Sequence, residues 1–193
     1  LVKLIKRSWK KMVNFKLALL SMLFVFSSLV LADQIGMTST YTSVVSKDCK
    51  MVTGALEKIY PEADEIDGGA EECKGNKNWR LIVPFFDARS WVALTDGKTV
   101  WDTVEYVMSK PFGQFPNVGE KVEWRSKAGK LQAIIFRIEA QDGETFKKVS
   151  RLFVVGLDTS EPKFCGIVKT NEEARKLADK GNCTGNLEKI VIK

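Results

Sequence analysis

The chain contains no histidine among its 193 residues. This absence excludes Ser-His-Asp and Cys-His nucleophilic sites, zinc bound by imidazole, and pH switches that depend on an imidazole ring. The sequence also lacks a G-x-S-x-G motif, a phosphate-cradling glycine loop and a dinucleotide-binding fingerprint. An enzyme made from this chain would therefore depend on carboxylates, Lys, Tyr or Ser-Lys pairs.

An excess of positive charge is also missing once residues 1–32 are set aside. The whole chain has 30 Lys and Arg against 24 Asp and Glu, and six of those positive residues precede residue 33, where no acid occurs. The remaining 33–193 are therefore neutral, with 24 residues of each sign. A neutral domain without a basic stripe lacks the counterion release that drives non-specific nucleic-acid binding, so we expect no nucleic-acid partner.

The first 32 residues have the pattern of an export signal. A positively charged stretch from Lys3 to Lys16 precedes an apolar run from Leu17 to Val30, and the residues after it suit cleavage between Ala32 and Asp33. The apolar run is shorter than the roughly 20 residues that usually cross a membrane. Cleavage is therefore the favoured interpretation, and a retained membrane anchor is the alternative.

This pattern predicts two parts, a signal peptide over 1–32 and a single domain over 33–193. The domain would fold outside the cytoplasm, in the periplasm or after secretion. We expect it to meet a membrane only through the leader, if the leader is uncleaved.

Cysteine is scarce, and its few positions suit an exported chain. The four cysteines are Cys49, Cys73, Cys165 and Cys183. An even number behind an export signal favours two disulfides, and three pairings are possible. We expect Cys49–Cys73 and Cys165–Cys183, because nearest pairs close the shorter loops. A zinc site normally needs close cysteine pairs, which are absent, so we expect no metal and no cofactor.

Alternating apolar residues predict mainly β structure after the cleavage site. Two hairpins are indicated, the first across Asp87-Ala88-Arg89 and the second across the Ser126–Lys130 turn; their strands are Trp79–Phe86 with Ser90–Leu94, and Lys121–Arg125 with Leu131–Glu139. Because Pro84 cannot donate to a ladder, we expect its strand to be an edge strand or to bulge there. Further strands are expected at Tyr41–Val45, Arg151–Leu157, Phe164–Lys169 and Leu187–Lys193.

One helix is clearly indicated near the C-terminus. Thr170 and Glu173 have the spacing of a capping box, and Gly181 suits the residue that ends the helix. A second helix, from Thr99-x-x-Asp102 onward, and a loop over Lys110–Gly119 are also predicted. The fold class is therefore α+β, a mainly antiparallel sheet of about five to seven strands with a C-terminal helix packed on one face and two disulfides.

Four short motifs resemble an uncharacterised family of small exported proteobacterial proteins. They are Cys73-Lys74-Gly75, Asp87-Ala88-Arg89-Ser90-Trp91-Val92, Val122-Glu123-Trp124-Arg125, and Cys165 followed by the Thr170–Gly181 helix. The resemblance spans most of the chain after residue 32. It implies an exported single domain and assigns no functional residue, because the family has no assigned activity.

Asp87, Arg89, Trp91 and Trp124 form the candidate binding surface. An arginine fork beside an exposed indole could hold a carboxylate, a sugar or a peptide. In the alternative, Asp87 organises the turn, Arg89 pairs with it and Trp91 belongs to the core. Two weaker hypotheses are a carboxylate pair formed by Glu123 with Glu105 or Asp102, and a glycan-stacking surface made of the tryptophans Trp79, Trp91, Trp101 and Trp124.

The leading functional hypothesis is an exported, non-enzymatic domain that binds a protein or a cell-envelope component. The first alternative is a histidine-free hydrolase or transferase that acts on envelope polymers through carboxylates. The second is a secreted enzyme inhibitor that presents the Asp87–Trp91 turn. Two carboxyls about 5–9 Å apart in a cleft would favour the hydrolase, whereas an exposed turn beside an apolar patch would favour binding or inhibition.

Overall fold

The computed structural model describes residues 36–61, 67–109 and 112–193. The predicted signal peptide and its cleavage site between Ala32 and Asp33 lie outside these ranges. Residues 38–193 form one compact unit. Within the described ranges, no helix is long and apolar enough to cross a membrane.

Antiparallel strands make up most of the described chain, as predicted. They are β1 (Met37–Ser43), β2 (Cys49–Met51), β3 (Gly68–Cys73), β4 (Arg80–Phe86), β5 (Arg89–Ser90), β6 (Ala93–Thr95), β7 (Thr99–Asp102), β8 (Gln114–Lys127), β9 (Lys130–Gln141), β10 (Lys148–Gly156), β11 (Lys163–Val168), β12 (Gly185–Asn186) and β13 (Glu188–Val191). The helices are α1 (Ala55–Ile59), α2 (Val104–Met108) and α3 (Asn171–Lys180), and Ser46–Asp48 form a 3₁₀ turn.

The strands form two sheets, where the sequence predicted one. The first has the order β1-β8-β9-β10-β11-β12, and the second has the order β13-β7-β6-β4-β3-β2, with β5 paired to β4. Strand periodicity shows which side chains share a face but not which strands share a sheet, which explains the difference.

The main core lies between the two sheets. Alternate residues of β8, β9 and β10 meet alternate residues of β4, β6 and β7 in one buried cluster; its largest fully buried side chains include Trp124, Phe136, Phe153, Leu81 and Leu94. These strands bury one residue in two toward the same layer, as expected for sheets that pack face to face. The arrangement is therefore a β-sandwich.

Each sheet also has a helix on its outer face. Ala174 and Ala178 of α3 pack against Ala133 and Ile135 of β9 and neighbouring residues of β10. These small residues let the helix approach the sheet closely. The predicted C-terminal helix on one face of the sheet is therefore confirmed. Leu56 of α1 belongs to the smaller cluster that covers the other sheet.

The capping prediction for α3 is also confirmed. The Thr170 hydroxyl accepts a hydrogen bond from the Glu173 amide at 3.2 Å, and the Glu173 carboxylate accepts one from the Thr170 amide at 3.0 Å. Gly181 ends the helix with a φ of 65°, in the left-handed region that glycine tolerates best.

Two local predictions were wrong. Thr99–Asp102 form strand β7 and not the start of a helix, because β-branched residues fit a strand better; the helix begins only at Val104. The predicted Lys110–Gly119 loop is largely strand, since β8 begins at Gln114. Its register shifts twice before Val122, and these irregularities accommodate the proline and glycine residues that suggested a loop.

Pro84 lies in a central strand and not at an edge. It pairs with Ala70 of β3 on one side, and on the other its carbonyl accepts a hydrogen bond from the Trp91 amide at 3.2 Å. The return bond is impossible because proline has no N–H. The partner strand is interrupted at this point, between β5 and β6.

Candidate functional site

The turn between β4 and β5 has a conformation that few residues adopt. Phe86 pairs with Arg89, so that only Asp87 and Ala88 form the loop. Both have positive φ, 49° and 56°. Two consecutive residues in this region are typical of a type I′ turn, whose twist matches that of a hairpin. The hairpin is therefore confirmed, and Arg89 belongs to its second strand instead of its turn.

Arg89 connects this turn to β8. Its guanidinium forms an ion pair with the Asp87 carboxylate and donates to the Asp87 carbonyl oxygen at 3.1 Å. The guanidinium also lies 5.0 Å from the centroid of the Phe115 ring, within cation–π range. The pairing within the turn fits the second interpretation of these residues, but Arg89 stays about one-third exposed beside an aromatic ring.

A hydrogen-bond clamp fixes the hairpin against β8. The Asn117 amide group donates to the carbonyl oxygens of Ala88, at 2.8 Å, and Phe115, at 3.0 Å. The Ser90 hydroxyl donates to the Asn117 side chain at 3.1 Å and accepts from the Val118 amide at 3.0 Å. The clamp joins strands of different sheets and determines where the Phe115 ring stands.

A groove of about 560 Å³ opens beside the clamp. We call it the aromatic groove; the described residues that line it are Ala88, Phe115, Asn117, Glu139, Ala140, Gln141, Phe146 and Lys148. Phe115 is 42% exposed and Phe146 is 70% exposed. Large apolar side chains at such exposure, grouped around a concave surface, are typical of a binding site.

Both phenylalanines stand on unusual backbone. Phe115 has a φ of 50° and Phe146 a φ of 56°. Bulky residues such as phenylalanine are rare at positive φ, where the conformation costs roughly 1–3 kcal/mol. Backbone strain of this kind is concentrated at functional sites, and here it occurs at two exposed aromatic residues of one groove.

The turn that carries Phe146 is well organised by Asp142. The Asp142 carboxylate accepts hydrogen bonds from the Thr145 amide at 2.8 Å and the Thr145 hydroxyl at 2.7 Å, and these bonds lower the pKa of Asp142. The Phe146 amide donates to the Asp142 carbonyl at 2.9 Å. Phe146 is therefore held in place by its turn, although its ring is exposed.

The aromatic groove contains one carboxylate among its described lining residues. Glu139 forms a 2.5 Å ion pair with Lys148 across neighbouring strands. A carboxylate paired in this way is poorly suited to act alone as a general acid, and it has no second carboxylate in the lining.

The two predicted tryptophans lie in different places. Trp124 is fully buried in the core and its indole N–H donates to the Thr42 hydroxyl at 2.9 Å, so it does not lie on a surface with Asp87 and Arg89. Trp91 is half-buried and packs against the same core. Its indole N–H makes no well-aligned hydrogen bond, although it lies near the Asp102 carboxylate.

Asp102 is a buried carboxylate without a cationic partner among the described residues. It is 3% exposed, and accepts hydrogen bonds from the Tyr60 hydroxyl at 2.5 Å and the Val104 amide at 2.7 Å. Burial raises the pKa of Asp102 to about 6, although the bonds from Tyr60 and Val104 and the nearby Trp91 indole N–H oppose the change. Burial and the nearby Asp102 also raise the pKa of Tyr60.

Glu123 belongs to a polar cluster under α3 that we call the arginine network. Its members are Ser39 of β1, Glu123 and Arg125 of β8, and Arg175 and Asp179 of α3. Arg175 donates to both Glu123 oxygens, at 2.8 and 3.1 Å, and Arg125 donates to both Asp179 oxygens, at 2.8 and 2.5 Å. Glu123 is therefore paired with an arginine and not with another acid.

The predicted disulfides are confirmed, whereas the tryptophan platform is not formed. Cys49 bonds to Cys73, and Cys165 bonds to Cys183. The half-buried Trp79 ring packs edge-on against the buried Trp101 ring, with 5.3 Å between the ring centroids, so the two rings do not form a shared exposed stacking face. Within the described ranges no three Cys, Asp or Glu residues come together in a way that could hold a metal ion.

Comparison with protein-family models, with curated proteins and with solved structures finds no match. The resemblance to a family of exported proteobacterial proteins therefore stays a prediction.

Phe115 and Phe146 are the site residues that the sequence prediction missed. Each is a single large apolar residue in a segment otherwise rich in Gly, Pro or polar residues, Gly113-Gln114-Phe115-Pro116 and Asp142-Gly143-Glu144-Thr145-Phe146. An aromatic residue in a segment that is predicted to be a loop or turn has no predicted strand or helix face to bury it, and this signal could have identified both residues.

Proposed function

We propose that this protein is an exported, non-enzymatic domain that binds a protein or a component of the cell envelope through the aromatic groove. The proposal depends on one observation, that Phe115 and Phe146 are exposed on strained backbone on the lining of the same groove. Burial of these two rings by a partner would supply a large apolar contact area, which is typical of the energetic centre of an interface.

Arg89 gives this surface a polar element. The guanidinium lies over the Phe115 ring, and both residues also line a separate cavity of about 200 Å³. A partner that covers Phe115 would exclude water from this contact, and desolvation strengthens a cation–π interaction. The site would therefore favour a partner with an apolar centre and an acceptor group near Arg89.

The disulfides support a location outside the cytoplasm. Two bonded pairs persist in oxidising compartments and are rare in the reducing cytosol. We assign the protein to the periplasm or to secretion, in line with its leader and with the family that it resembles.

The hydrolase alternative has weaker support. Glycoside hydrolysis of the usual kind needs two carboxyls about 5–9 Å apart across a cleft. The described lining of the aromatic groove supplies only Glu139, which is paired with Lys148. Asp102 has the raised pKa of a general acid, but it is buried and bonded to Tyr60.

The experiment compares capture of envelope components by the wild-type protein and by the double variant Phe115→Ser/Phe146→Ser. Serine removes both rings and places a smaller side chain at each positive-φ position, so the variant should still fold. We expect a specific component to be enriched by the wild type and reduced by about tenfold or more in the variant. Val191→Ser is the matched control, because Val191 is an exposed apolar residue, 60% accessible, outside the groove.

Two outcomes would contradict the proposal. One is capture that is the same for the wild type and the double variant, since the groove would then make no contribution. The other is release of fragments from peptidoglycan or peptides by the wild-type protein, which would favour the hydrolase. Identification of the captured component as an enzyme whose activity falls on binding would assign the protein to the inhibitors.

A further inference from the structure

Among the described residues, the strand β1 is an edge strand of the first sheet. It lies at the end of the strand order, with β8 as its neighbour. Its residues, Met37–Ser43, include no charged residue and no proline. Edge strands present unpaired N–H and C=O groups, and natural proteins usually protect them with charge, proline or a bulge. Since β1 has neither charge nor proline, its open edge is suited to pairing with a further strand.

The outward groups of β1 can be assigned from its last contact with β8. The amide of Val44, the residue after the strand, donates to the Glu120 carbonyl at 3.0 Å. Backbone groups of successive residues in a strand point to opposite sides, so Thr42 and Thr40 also direct theirs toward β8. Ser39, Tyr41 and Ser43 consequently present their N–H and C=O groups outward, and Tyr41 is 54% exposed.

A groove of about 520 Å³ runs beside this edge. We call it the β1 groove; its lining residues are Thr40, Tyr41, Thr42, Ser43, Asp48, Lys74, Gly75, Asn76 and Lys77. One wall is therefore the second half of β1, and the other includes the loop after β3. The Asn76 amide donates to the Thr40 hydroxyl at 2.9 Å, which holds this loop beside the strand.

The loop wall of the β1 groove carries two lysines, Lys74 and Lys77, that form no ion pair with other described residues. Lys74 is exposed and has no partner among the described residues, and Lys77 donates to the neutral carbonyl of Gly129. Asp48 is the one carboxylate among the lining residues, and it accepts a hydrogen bond from Ser43. The β1 groove therefore combines open backbone groups with an excess of cations.

This charge decides between two kinds of occupant. Pairing of β1 with β1 of a second copy would bring two sets of Lys74 and Lys77 toward the same interface, where like charges repel. An extended segment with acidic side chains would instead meet complementary charge. Its alternate side chains would face the lysine loop, because residues of a strand alternate between the two faces of a sheet.

We propose that β1 accepts an extended, acidic segment of a partner protein as an additional strand, with carboxylates of that segment on Lys74 and Lys77. Backbone hydrogen bonds to β1 would supply affinity and the lysines would supply specificity, which is the usual division in strand addition. The inference is independent of the aromatic groove.

The first test uses two capped heptapeptides as probes, one that alternates Val and Thr with Glu, and a counterpart with Lys in place of Glu. Fluorescence anisotropy should show binding of the acidic peptide and little binding of the basic one. The double variant Lys74→Glu/Lys77→Glu should bind the acidic peptide about tenfold or more weakly than the wild type, and the difference should shrink as salt is added. Lys98→Glu/Lys180→Glu changes the net charge equally at exposed positions outside the groove and should leave binding nearly unchanged.

The second test separates strand pairing from simple charge attraction. Tyr41→Pro removes an outward N–H, and Tyr41→Val removes the same phenol, including its contact with Arg175, while it keeps the N–H. The proline variant should lose about tenfold or more in affinity, whereas the valine variant should stay close to the wild type. In the wild-type protein, the acidic peptide should also slow amide hydrogen exchange at Ser39, Tyr41 and Ser43.

Three results would overturn the proposal. Equal binding of the acidic and basic peptides would show that the lysines do not select the partner. Unchanged hydrogen exchange at Ser39, Tyr41 and Ser43 would show that the peptide does not pair with β1. A dimer in sedimentation velocity that Tyr41→Pro dissociates would make a second copy the occupant of the edge. The Phe115→Ser/Phe146→Ser variant should bind the acidic peptide like the wild type, so failure of this inference and failure of the proposed function are distinguishable.

Discussion

Two regions of the molecule differ in how completely their polar and apolar groups are partnered. Under α3, the arginine network joins two carboxylates to two guanidinium groups and a serine, and both pairs are bidentate. At the hairpin end, by which we mean the Asp87–Trp91 hairpin with the aromatic groove and the neighbouring Asp102, groups are left without such partners. Asp102 has no cation among the described residues, the Trp91 N–H has no well-aligned acceptor, and two phenylalanine rings face solvent.

The difference separates what holds the fold together from what is available to a partner. Glu123 and Arg125 are each 8% exposed. The cost of removing their charges from water is offset by their ion pairs with α3 and by the hydrogen bonds that both make to the Ser39 hydroxyl. For Glu123, burial tends to raise the pKa, but the bonds from Arg175 and Ser39 outweigh it and lower the pKa. At the hairpin end no comparable set of charges offsets the burial of Asp102, and Phe115 and Phe146 remain 42% and 70% exposed. The first region stabilises the fold, whereas the second contains the exposed side chains that the proposed binding would use.

The largest effect should follow from removal of Arg125. Arg125→Ala would leave Asp179 without its guanidinium and would remove one of the two bidentate pairs that join α3 to β8. Breaking a buried pair by removal of one partner typically costs about 3–5 kcal/mol, and we expect a loss near the lower limit because Asp179 is partly exposed. Urea denaturation with both disulfides intact would measure the loss in the free energy of unfolding.

The matched control is another ion pair of α3. Lys176 and Glu172 form a 2.7 Å pair, but their side chains are 73% and 77% exposed. Water screens this pair, so Lys176→Ala should change the free energy of unfolding very little. A loss for Arg125→Ala as small as that for Lys176→Ala would mean that the arginine network is no more than a set of surface contacts.

The second effect concerns the pH dependence of stability at the hairpin end. The pKa of Asp102 is about 6 in the folded protein against an ordinary value of 3.8. A raised folded pKa means that the contribution of this group is fully present below about pH 4 and is lost as the pH rises through about 6. The difference corresponds to roughly 3 kcal/mol across that window. Urea unfolding at a series of pH values should show this loss in the wild type and not in Asp102→Asn.

The control for this measurement is Asp96→Asn. Burial tends to raise the pKa of Asp96, but the hydrogen bonds that its carboxylate accepts from the Lys98 and Thr99 amides together outweigh burial and lower the pKa. A carboxylate with a lowered pKa stays ionised throughout the range from about pH 5 to 7, so its removal should shift all points in that range equally. If Asp102→Asn had the same uniform effect, Asp102 would be ionised like an ordinary surface acid.

The sequence predicted features whose cause is local. Thr170, Glu173 and Gly181 define a helix through bonds made within a few residues, and the two hairpins are defined by short turns between alternating runs. The disulfide pairing followed from loop length, another local quantity.

Features that depend on distant residues were not predictable in the same way. Trp124 alternates with polar neighbours like a surface residue of a hairpin, and only the second sheet buries it. The arginine network joins residues more than 50 positions apart in the chain. Asp87 and Arg89 were recognised as a cluster, but the Phe115 ring that completes it comes from a segment expected to be a loop.

The smallest effect is a gain in stability at the aromatic groove. In Phe146→Asn, the bulky ring at a φ of 56° is replaced by a residue that tolerates this conformation better. The ring is 70% exposed, so little packing is lost. We expect the free energy of unfolding to rise by about 1 kcal/mol, and thermal unfolding would detect the change as a higher Tm.

Phe86→Asn is the control, because Phe86 is also an exposed phenylalanine, 44% accessible, but lies on regular strand β4. Asparagine is disfavoured in strands, so this variant should lose stability. Opposite signs for the two substitutions would show that Phe146 is retained at the expense of stability, as expected for a residue with a binding role. A loss of stability in both variants would show that the Phe146 ring stabilises its own turn, and Phe115 would then be the one phenylalanine of the described groove lining whose strained backbone indicates a binding role.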